Sequence, residues 1–257
     1  MRAVQILPAA AIVAVSLWEV WAARHDATSV PGDDDWRRAA QVVREQAQPG
    51  DLIVFAPEWV DPVGRMMLGD KLAIADAARM DAAKYARIWE LSIRGARAPE
   101  TAGLTPAAVT EGDVTVRRYD QKPVHVLANA RDLLAGAKGI GAVAHRELAE
   151  VGFRPHDCIE VTPSAKVPVR IAMTMPLGTR LVGYVGLADV FTRRDIRAPG
   201  RLQVEIGGQV VASAEPGVED GWVRFEAATQ PGQAEVTFVA SADAPQRMIC
   251  FAAEARE

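Results

Sequence analysis

Short runs of alternating apolar and polar residues fill the C-terminal part of the chain, and they predict an antiparallel β-sandwich. In Arg201–Ile206, the apolar residues occupy every second position. Gly207–Gly208 follows, and two glycines between such runs favour a tight hairpin turn, with Gln209–Ser213 as the returning strand. Three later runs have the same alternation and are also predicted as strands: Trp222–Glu226, Ala234–Ala240 and Met248–Ala252.

The first half of the chain has a different pattern, which predicts an α/β layer. Apolar residues recur at helical spacing in Asp35–Gln46, and Asp33 or Asp34 precedes them as a capping residue. The turn Pro49–Asp51 is followed by Leu52–Ala56, a continuous apolar run that is typical of a buried strand.

The middle of the chain predicts a mixture of short elements. Its predicted elements are a helix at Met66–Met80, strands at Arg87–Ile93, Val114–Tyr119 and Val124–Leu127, a loop at Arg94–Gly112 and a short helix at Ala128–Ala137. The stretch Lys138–Gly141 reads as flexible and as the domain boundary. Ala142–Phe153 fits either a helix or the first strand of the sandwich.

The first stretch, Ala3–Ala23, predicts an N-terminal hydrophobic helix. About 21 residues would span ~31 Å, enough for a bilayer core. This stretch is predicted to be either an uncleaved signal anchor or a cleaved signal peptide with Val20–Ala22 as the cleavage site. A third reading is a plain buried or truncated helix. The first two place the rest of the chain outside the cytoplasm, as a single-pass inner-membrane protein with a periplasmic C-terminal part or as a secreted protein.

Charge and cysteine content narrow the function classes. The net charge of −4 and the lack of a Lys/Arg-rich segment argue against nucleic-acid binding. The two cysteines, Cys158 and Cys250, flank the predicted sandwich. A bridge between them would close a loop of about 90 residues and could stabilise the fold by ~4 kcal/mol. The alternative is two buried free cysteines. Neither redox catalysis nor zinc binding is expected, because the chain has no Cys-x-x-Cys motif.

Three features of the C-terminal part resemble the galactose-binding-like jelly rolls, in particular the NPCBM-type carbohydrate-binding modules. They are the strand and Gly-x-x-Gly-x-x-Asp corner at Gly183–Asp189, the hairpin at Val204–Val211, and the strand start Gly221–Trp222. The resemblance covers residues 142–257 and implies a jelly-roll fold that binds carbohydrate. It makes Tyr184 and Trp222 candidate sugar contacts, with core packing as the alternative. Such jelly rolls often hold a structural calcium, for which Asp189 is the candidate ligand, with a charged turn as the alternative.

Residues 33–120 resemble the soluble extracytoplasmic segment of GT-C membrane glycosyltransferases, the class of protein O-mannosyltransferases. The matching stretches are Trp36–Ala40, Gln48–Val54, Ala56–Trp59 and Tyr85–Leu91. In that class the catalytic acid lies on loops between many membrane helices, and this chain has at most one such helix. The resemblance therefore does not imply transferase activity.

The two patterns give a small α/β domain plus an all-β jelly-roll sandwich, preceded by one N-terminal hydrophobic helix. The predicted domains are residues 1–32, 33–140 and 141–257. At 257 residues the chain is long enough for two domains of ordinary size.

Candidate ligand-binding residues follow the first predicted strand. Glu58, Trp59 and Asp61 place two carboxylates beside an aromatic ring, which could bind a sugar or a cation; the alternative is a solvated loop. Arg79, Asp81, Arg87 and Glu90 are expected to form structural ion pairs around Trp89. The spacing of His145, His156 and Asp157 matches no zinc pattern, and no Gly-x-Ser-x-Gly motif is present.

The function predicted from these features is non-catalytic binding of a glycan or of an envelope partner, as an accessory to a glycosyltransferase or polysaccharide pathway. One alternative is an enzyme acting on envelope carbohydrate, with its site at the loop of residues 58–70 or between the domains. Another is a purely structural interaction module. No catalytic residue is predicted, and no cofactor other than the structural calcium.

Overall fold

The structure, a computed structural model, divides into two compact units. It describes residues 3–28, 30–139, 144–165, 167–188, 197–245 and 247–257, with the backbone alone for 3–9 and 26–28. The first unit contains residues 1–49, 53–71 and 88–119, and the second contains 50–52, 72–87 and 120–257. The sequence predicts one boundary between the two domains, near residue 140. In the structure, each unit contains separate segments of the chain, and several of the changes from one unit to the other come before residue 140.

Two helices open the first unit. Helix α1 is Ala3–Thr28, and helix α2 is Asp33–Gln46. Within the described residues, no helix combines the length and the apolar character needed to cross a membrane.

Helix α2 forms because its apolar residues fall on one side and its acidic residues gather in the first turn. Trp36, Ala39, Ala40 and Val43 are buried, as their spacing predicts. The N-cap is Gly32, not Asp33 or Asp34, and its backbone N–H donates to Asp35 Oδ2 at 2.8 Å. The carboxylates of the first turn instead complement the helix dipole.

A four-stranded sheet forms the core of the first unit. Its strands are β1 (Leu52–Ala56), β2 (Arg87–Ser92), β3 (Ala108–Thr110) and β4 (Thr115–Asp120). The order across the sheet is β1-β2-β4-β3. Every residue of β1 is buried, as its continuous apolar run predicts. The prediction missed β3, a short strand within the stretch expected to be loop.

The predicted helix Met66–Met80 is wrong. Helix α3 is Asp61–Leu68, a 3-10 turn follows at Gly69–Lys71, and helix α4 is only Ile74–Ala77. The helix stops where Gly69 and Asp70 follow one another, and both residues have low helix propensity. The apolar residues on either side of this break belong to different units of the chain.

The second unit is a two-sheet antiparallel β-sandwich with one short helix, α5. Its elements are β5 (Val126–Asn129), α5 (Ala130–Leu133), β6 (Ala144–Val151), β7 (Arg154–Val161), β8 (Val169–Leu177), β9 (Arg180–Leu187), β10 (Gly200–Ile206), β11 (Gln209–Ala214), β12 (Val223–Ala228), β13 (Gly232–Ala242) and β14 (Ile249–Arg256). One sheet has the order β11-β10-β13-β8, and the other has β12-β9-β14-β7-β6, with β5 paired to β14. The segment 142–153, for which helix and strand were left open, forms strand β6 from Ala144.

Alternating strand positions supply the core between the two sheets. Phe238 on β13 and Phe251 on β14 belong to different sheets, and their ring centroids are 5.0 Å apart. Both are fully buried, together with Val204 on β10. The hairpin predicted at Gly207–Gly208 is confirmed, since both glycines have positive φ and Ile206 pairs with Gln209.

Candidate functional site

The predicted ligand-binding residues that follow strand β1 lie on one exposed ridge of the first unit. Glu58–Val60 forms a 3-10 turn that runs directly into helix α3. Val60 is 2% exposed and anchors this turn in the core, whereas Trp59 beside it is 61% exposed. Glu58 is also exposed. The turn therefore presents the indole ring of Trp59 to solvent next to a carboxylate.

Close packing of α3 against β1 holds this ridge in place. A Cβ atom at Gly64 of α3 would lie 2.1 Å from Cε1 of Phe55 on β1, closer than atoms can approach. Only glycine lets the helix come this near the strand. Because Phe55 is only 7% exposed, the contact between Gly64 and Phe55 belongs to the packed core, and this contact fixes the ridge in place.

Charged side chains secure both ends of α3. At its start, the guanidinium of Arg65 donates to the carboxylate of Asp61, four residues earlier. Near its end, Arg44 of α2 donates to Asp70 Oδ2 and to the Met67 carbonyl oxygen, each at 2.6 Å. The Arg44 guanidinium lowers the pKa of the exposed Asp70 carboxyl group. Asp61 thus has an arginine partner, and its second oxygen can still accept a hydrogen bond.

An apolar stripe that sequence reasoning missed extends the ridge. Trp59, Pro62 and Met66 are all exposed, and Met66 is 68% exposed. Pro62 and Met66 are four residues apart in α3 and so lie on one face of it, and Trp59 precedes them in the 3-10 turn that leads into the helix; the sequence contains this spacing. An exposed aromatic ring followed by exposed apolar side chains, with carboxylates on neighbouring residues, suits a ligand that has both apolar C–H faces and hydroxyl groups.

The other two predicted ligand-binding residues, Tyr184 and Trp222, lie together in the second unit. The rings of Trp222 and Tyr184 are nearly parallel, with centroids 6.0 Å apart. The His156 ring stacks on Trp222 with a centroid distance of 4.3 Å, and Trp222 Nε1 donates to the Met80 carbonyl oxygen at 3.3 Å. The Trp222 ring thus makes its described contacts within its own unit. These contacts favour the alternative that Trp222 packs in the fold over the prediction that it stacks on a sugar.

Segment Leu72–Arg87 supplies many of these contacts within the second unit. The Asp157 N–H donates to the Ala78 carbonyl at 3.1 Å, and His156 Nδ1 lies 3.3 Å from the Arg79 carbonyl. Both guanidinium NH groups of Arg256 donate to the Asp81 carboxylate, each at 2.9 Å. Backbone groups of β7 and side chains of the sheet therefore hold the segment along its length.

Burial sets the protonation of the aromatic cluster. Burial lowers the pKa of His156 to about 4, and the nearby Arg154 and Arg79 cations act in the same direction, so the ring is neutral near pH 7. Burial, with the Asp81 carboxylate, raises the pKa of Tyr184. Neutral rings pack without the cost of a buried charge, as expected of a structural cluster.

The structure pairs Asp81, Arg87 and Glu90 with partners outside the set that was expected around Trp89. Asp81 pairs with Arg256, and Arg87 Nε lies 2.9 Å from Asp51 Oδ1. Glu90 is fully buried in the first unit and accepts hydrogen bonds from several groups of that unit. Its donors are the Ala98 N–H, the Thr101 and Tyr119 hydroxyls, and the Arg117 guanidinium. This carboxylate organises the loop after β2, which is a structural role.

The remaining predicted sites concern the sandwich. Cys158 on β7 and Cys250 on β14 form a disulfide, with a Cα–Cα distance of 5.6 Å. Asp189, the predicted calcium ligand, lies outside the described residues. Among those that are described, no group of three or more His, Cys, Asp or Glu side chains could hold a metal ion.

No family model matches the sequence, and no curated protein matches it either. Among solved structures, the M60 catalytic domain with the CBM51-1 and CBM51-2 domains of ZmpB from Clostridium perfringens matches 58% of this chain, with 10% identity and a TM-score of 0.34. The match covers 20% of that chain, so this chain spans about a fifth of its length.

Two further structures resemble this chain over about half its length. The CBM36-1 domain of a multidomain xylanase from the hindgut metagenome of Trinervitermes trinervoides matches 47% of this chain and 91% of its own, with 11% identity and a TM-score of 0.30. The tandem CBM51 modules of a family 98 glycoside hydrolase from Streptococcus pneumoniae match 58% of this chain and 45% of their own, with 13% identity and a TM-score of 0.29. Likeness this distant supports no conclusion about function, and the comparisons give the GT-C resemblance no support.

Proposed function

We propose that this chain is a non-catalytic glycan-binding protein whose ligand stacks on Trp59. The observation that carries the proposal is the 61% exposed indole ring, set between Glu58 and Asp61 on a packed ridge. An indole face covers the C–H face of a sugar ring, and neighbouring carboxylate oxygens accept hydrogen bonds from its hydroxyl groups.

The geometry of the ridge favours a sugar over a large apolar partner. A stable protein interface needs more than about 1,000 Å² of buried area, with a mostly apolar centre. Here the apolar stripe consists of only three exposed side chains, and its neighbours along the chain include the exposed or half-exposed charges of Glu58, Asp61 and Arg65. So few apolar side chains among charged ones suit a sugar better than a large apolar partner.

The disulfide supports an extracytoplasmic location for this function. Disulfides form and persist in secreted and periplasmic proteins, and they are rare in the cytosol. The bond between Cys158 and Cys250 joins two fully buried residues of the sandwich, so it belongs to the folded core. We therefore propose that the protein works in the envelope or outside the cell, where glycans are accessible.

A glycan array probed with the full-length protein tests the proposal, with and without calcium so that the predicted ion at Asp189 is tested as well. Array hits are then titrated with the wild-type protein, Trp59→Ala and Trp59→Phe. Loss of a central aromatic contact costs about 2 kcal/mol, which is roughly a 30-fold loss of affinity for Trp59→Ala. Trp59→Phe keeps an aromatic face and is expected to retain most of the affinity.

A matched control is Val109→Ala, which shortens another exposed apolar side chain of the same unit, 44% exposed, and is expected to bind as the wild type does. The proposal is overturned if no glycan binds, or if Trp59→Ala binds every hit with wild-type affinity.

A further inference from the structure

A cleft in the second unit lies beside the short helix α5. Its volume is about 520 Å³, which falls within the range of about 300–1,000 Å³ that is usual for small-ligand sites. Its walls come from α5, from the 3-10 turn Leu134–Gly136 and from the start of strand β6. The lining residues are Arg131, Asp132, Leu134, Ala135, Ala144 and Arg146. Two cations, one carboxylate and three apolar side chains therefore meet in one cavity.

Arg131 is held firmly in this wall. The side-chain oxygen of Asn129 accepts hydrogen bonds from the Arg131 backbone N–H and from its Nε, each at 3.0 Å. Arg131 Nη1 donates to the Asp157 carbonyl oxygen at 2.8 Å and lies 3.0 Å from Asp157 Oδ2. The Arg131 side chain is only 12% exposed. Its positive charge is thus fixed in position before a ligand binds, which lowers the entropy cost of binding.

The Asp157 carboxylate is shared between the two arginines of the cleft. Arg146 Nε and Nη2 donate to its two oxygens, at 2.9 and 2.6 Å. Burial raises the pKa of Asp157, but the hydrogen bond from Arg146 and the neighbouring positive charges outweigh burial and hold the pKa below its usual value. Asp157 is therefore ionised near pH 7, and its single charge neutralises only one of the two guanidinium charges that it contacts.

The other guanidinium charge is compensated only loosely, by Asp132. Asp132 Oδ1 lies 3.4 Å from Arg146 Nη1, which is long for a hydrogen bond. The Asp132 and Arg146 side chains are 65% and 53% exposed, and exposed ion pairs contribute little to stability. The carboxylate of a ligand can therefore replace Asp132 on Nη1 at little cost, while Asp157 keeps the Nε and Nη2 edge of the guanidinium.

The rest of the cleft wall is apolar. Leu134 is 8% exposed and belongs to the core of the sandwich, and Ala144 packs against that core. Ala135, beside Leu134, is exposed. An apolar wall of this size suits the C–H face of a sugar ring, and the charged groups beside it suit an acid group and hydroxyl groups.

We propose that this cleft binds an acidic sugar, a uronic acid residue of a glycan, whose carboxylate pairs with Arg146 in place of Asp132. The inference goes beyond the proposed function, because the cleft belongs to the second unit and its ligand is selected by charge. Trp59 takes no part in it, so the two sites can be tested separately.

Isothermal titration calorimetry of the full-length protein tests the site. The probes are short oligosaccharides of galacturonate, of mannuronate and of hyaluronan, which present different uronic acids. Their methyl esters are the ligand controls, because esterification removes the negative charge and keeps the sugar rings. Inorganic phosphate is titrated as well, to detect a site that accepts any anion.

Arg146→Ala is expected to bind a uronate roughly tenfold more weakly, because a hydrogen bond to the charged ligand is lost. Its matched control is Arg170→Ala. Arg170 on β8 is similarly exposed, at 54%, and it also binds one carboxylate, that of Glu205, through two nitrogen atoms. Because Arg170 is not among the residues that line the cleft, this control should bind as the wild type does.

Asp132→Asn gives a result of the opposite sign. It removes the charge that competes with the ligand for Arg146, so it is expected to bind the uronate roughly threefold more tightly. A variant that merely disturbed the fold would not gain affinity.

The outcomes separate this inference from the proposed function. Uronate binding that survives Trp59→Ala and is weakened by Arg146→Ala supports the cleft. If glycans bind through Trp59 but none of the uronates binds, the proposed function stands and the cleft site is wrong. Uronate binding that is lost in Trp59→Ala would also overturn the inference, because the ligand would then occupy the first site.

The remaining results test the chemistry assigned to the cleft. Methyl esters that bind as tightly as the acids would overturn it, and so would phosphate that binds as tightly as the uronates. Wild-type affinity in Arg146→Ala, or no gain of affinity in Asp132→Asn, would contradict the exchange of Asp132 for the carboxylate of the ligand.

Discussion

Glu90 is a single buried carboxylate that fixes the loop following strand β2. Its Oε2 accepts hydrogen bonds from the Ala98 N–H at 2.8 Å and from the Thr101 hydroxyl at 2.5 Å. Its Oε1 lies 3.1 Å from the Arg117 guanidinium, which is itself mostly buried. Removing one partner of a buried ion pair leaves the other charge uncompensated.

Glu90→Ala is therefore expected to destabilise the protein by about 3–5 kcal/mol, measured by urea unfolding. The control is Glu111→Ala, because Glu111 is exposed and its one described hydrogen bond, from Thr115, is a long 3.4 Å. That control should unfold within about 0.5 kcal/mol of the wild type. Equal stabilities of the two variants would contradict the assignment of Glu90 as the organising residue.

His156 is expected to make stability depend on pH in a defined window. Its pKa is about 4 in the folded state and about 6.5 when unfolded, so above pH 6.5 both states are neutral. Between pH 6.5 and 4 the unfolded chain binds a proton that the folded chain does not. The free energy of unfolding therefore falls as the pH falls through this window, by about 3 kcal/mol in total.

The measurement is urea unfolding at a series of pH values for the wild type and His156→Phe. The difference between the two curves isolates this histidine from the other titrating groups. The phenylalanine variant should lose the His156 part of the slope between pH 6.5 and 4. Identical slopes for the two proteins would show that His156 is not the group responsible.

At the residue scale, the sequence identifies candidate glycan-binding residues, but it does not show which of them are exposed. Trp59 and Trp222 look alike in the sequence, since each lies within two residues of a carboxylate. What separates them is burial: Trp59 is 61% exposed, whereas Trp222 stacks on His156 and donates to Met80. These contacts join residues far apart in the chain, and no local pattern encodes them.

At the scale of single elements, the apolar periodicity of the sequence predicts a helix or strand correctly where the local residues alone decide its formation. Helix α2 and strand β1 form where their apolar patterns predict them, and so does the hairpin of β10 and β11. The prediction fails between Met66 and Met80, where weak helical periodicity continues past Gly69 and Asp70. Propensity at two residues outweighs an apolar pattern there.

The segment Leu72–Arg87 is expected to depend on one ion pair. Arg256 is 3% exposed and donates twice to Asp81, and Glu254 is its other carboxylate partner. In Asp81→Ala the guanidinium keeps Glu254, so the fold survives, but the segment loses its strongest attachment. Amide hydrogen exchange across residues 78–86 should accelerate at least tenfold, while exchange in β13 stays unchanged.

The matched control for this experiment is Asp76→Asn. Asp76 accepts a hydrogen bond from the Tyr85 hydroxyl at 2.8 Å within the same segment, and no hydrogen bond or ion pair joins its side chain to a described strand of the sandwich. Its exchange should remain close to that of the wild type. An Asp81→Ala variant with wild-type exchange would contradict the role given to the Asp81–Arg256 pair.

The disulfide joins β7 and β14, two neighbouring strands of one sheet of the sandwich. Cys158 and Cys250 are separated by 92 residues, and a loop of that length gives a stabilisation of about 4 kcal/mol in the chain-entropy model. The double variant Cys158→Ala/Cys250→Ala should therefore melt well below the oxidised wild type in calorimetry. The wild type measured in reducing agent should approach the variant. A melting temperature unaffected by either change would contradict this contribution.

At the scale of the whole molecule, the sequence predicts the two architectures but not how the chain is divided between them. The expected boundary near residue 140 rests on the glycine-containing stretch Lys138–Gly141, which is a local feature of the sequence. In the structure the second unit also takes in residues 72–87 and 120–139. Strand β5 pairs with β14, the last strand of the chain, and this pairing over more than a hundred residues has no local signal.

The proposed glycan binding depends above all on Trp59, whose exposed indole ring is carried by a ridge that close packing at Gly64 holds in place.

The most direct test follows the indole N–H signals of the protein in an NMR titration with a glycan identified on the array. The chain has six tryptophans, and the signal missing from the spectrum of Trp59→Ala identifies Trp59. We predict that this signal shifts progressively with glycan concentration, and that the Trp36, Trp89 and Trp222 signals shift little, because these rings are packed within their units. A Trp59 signal that stays in place while the glycan binds would contradict the account.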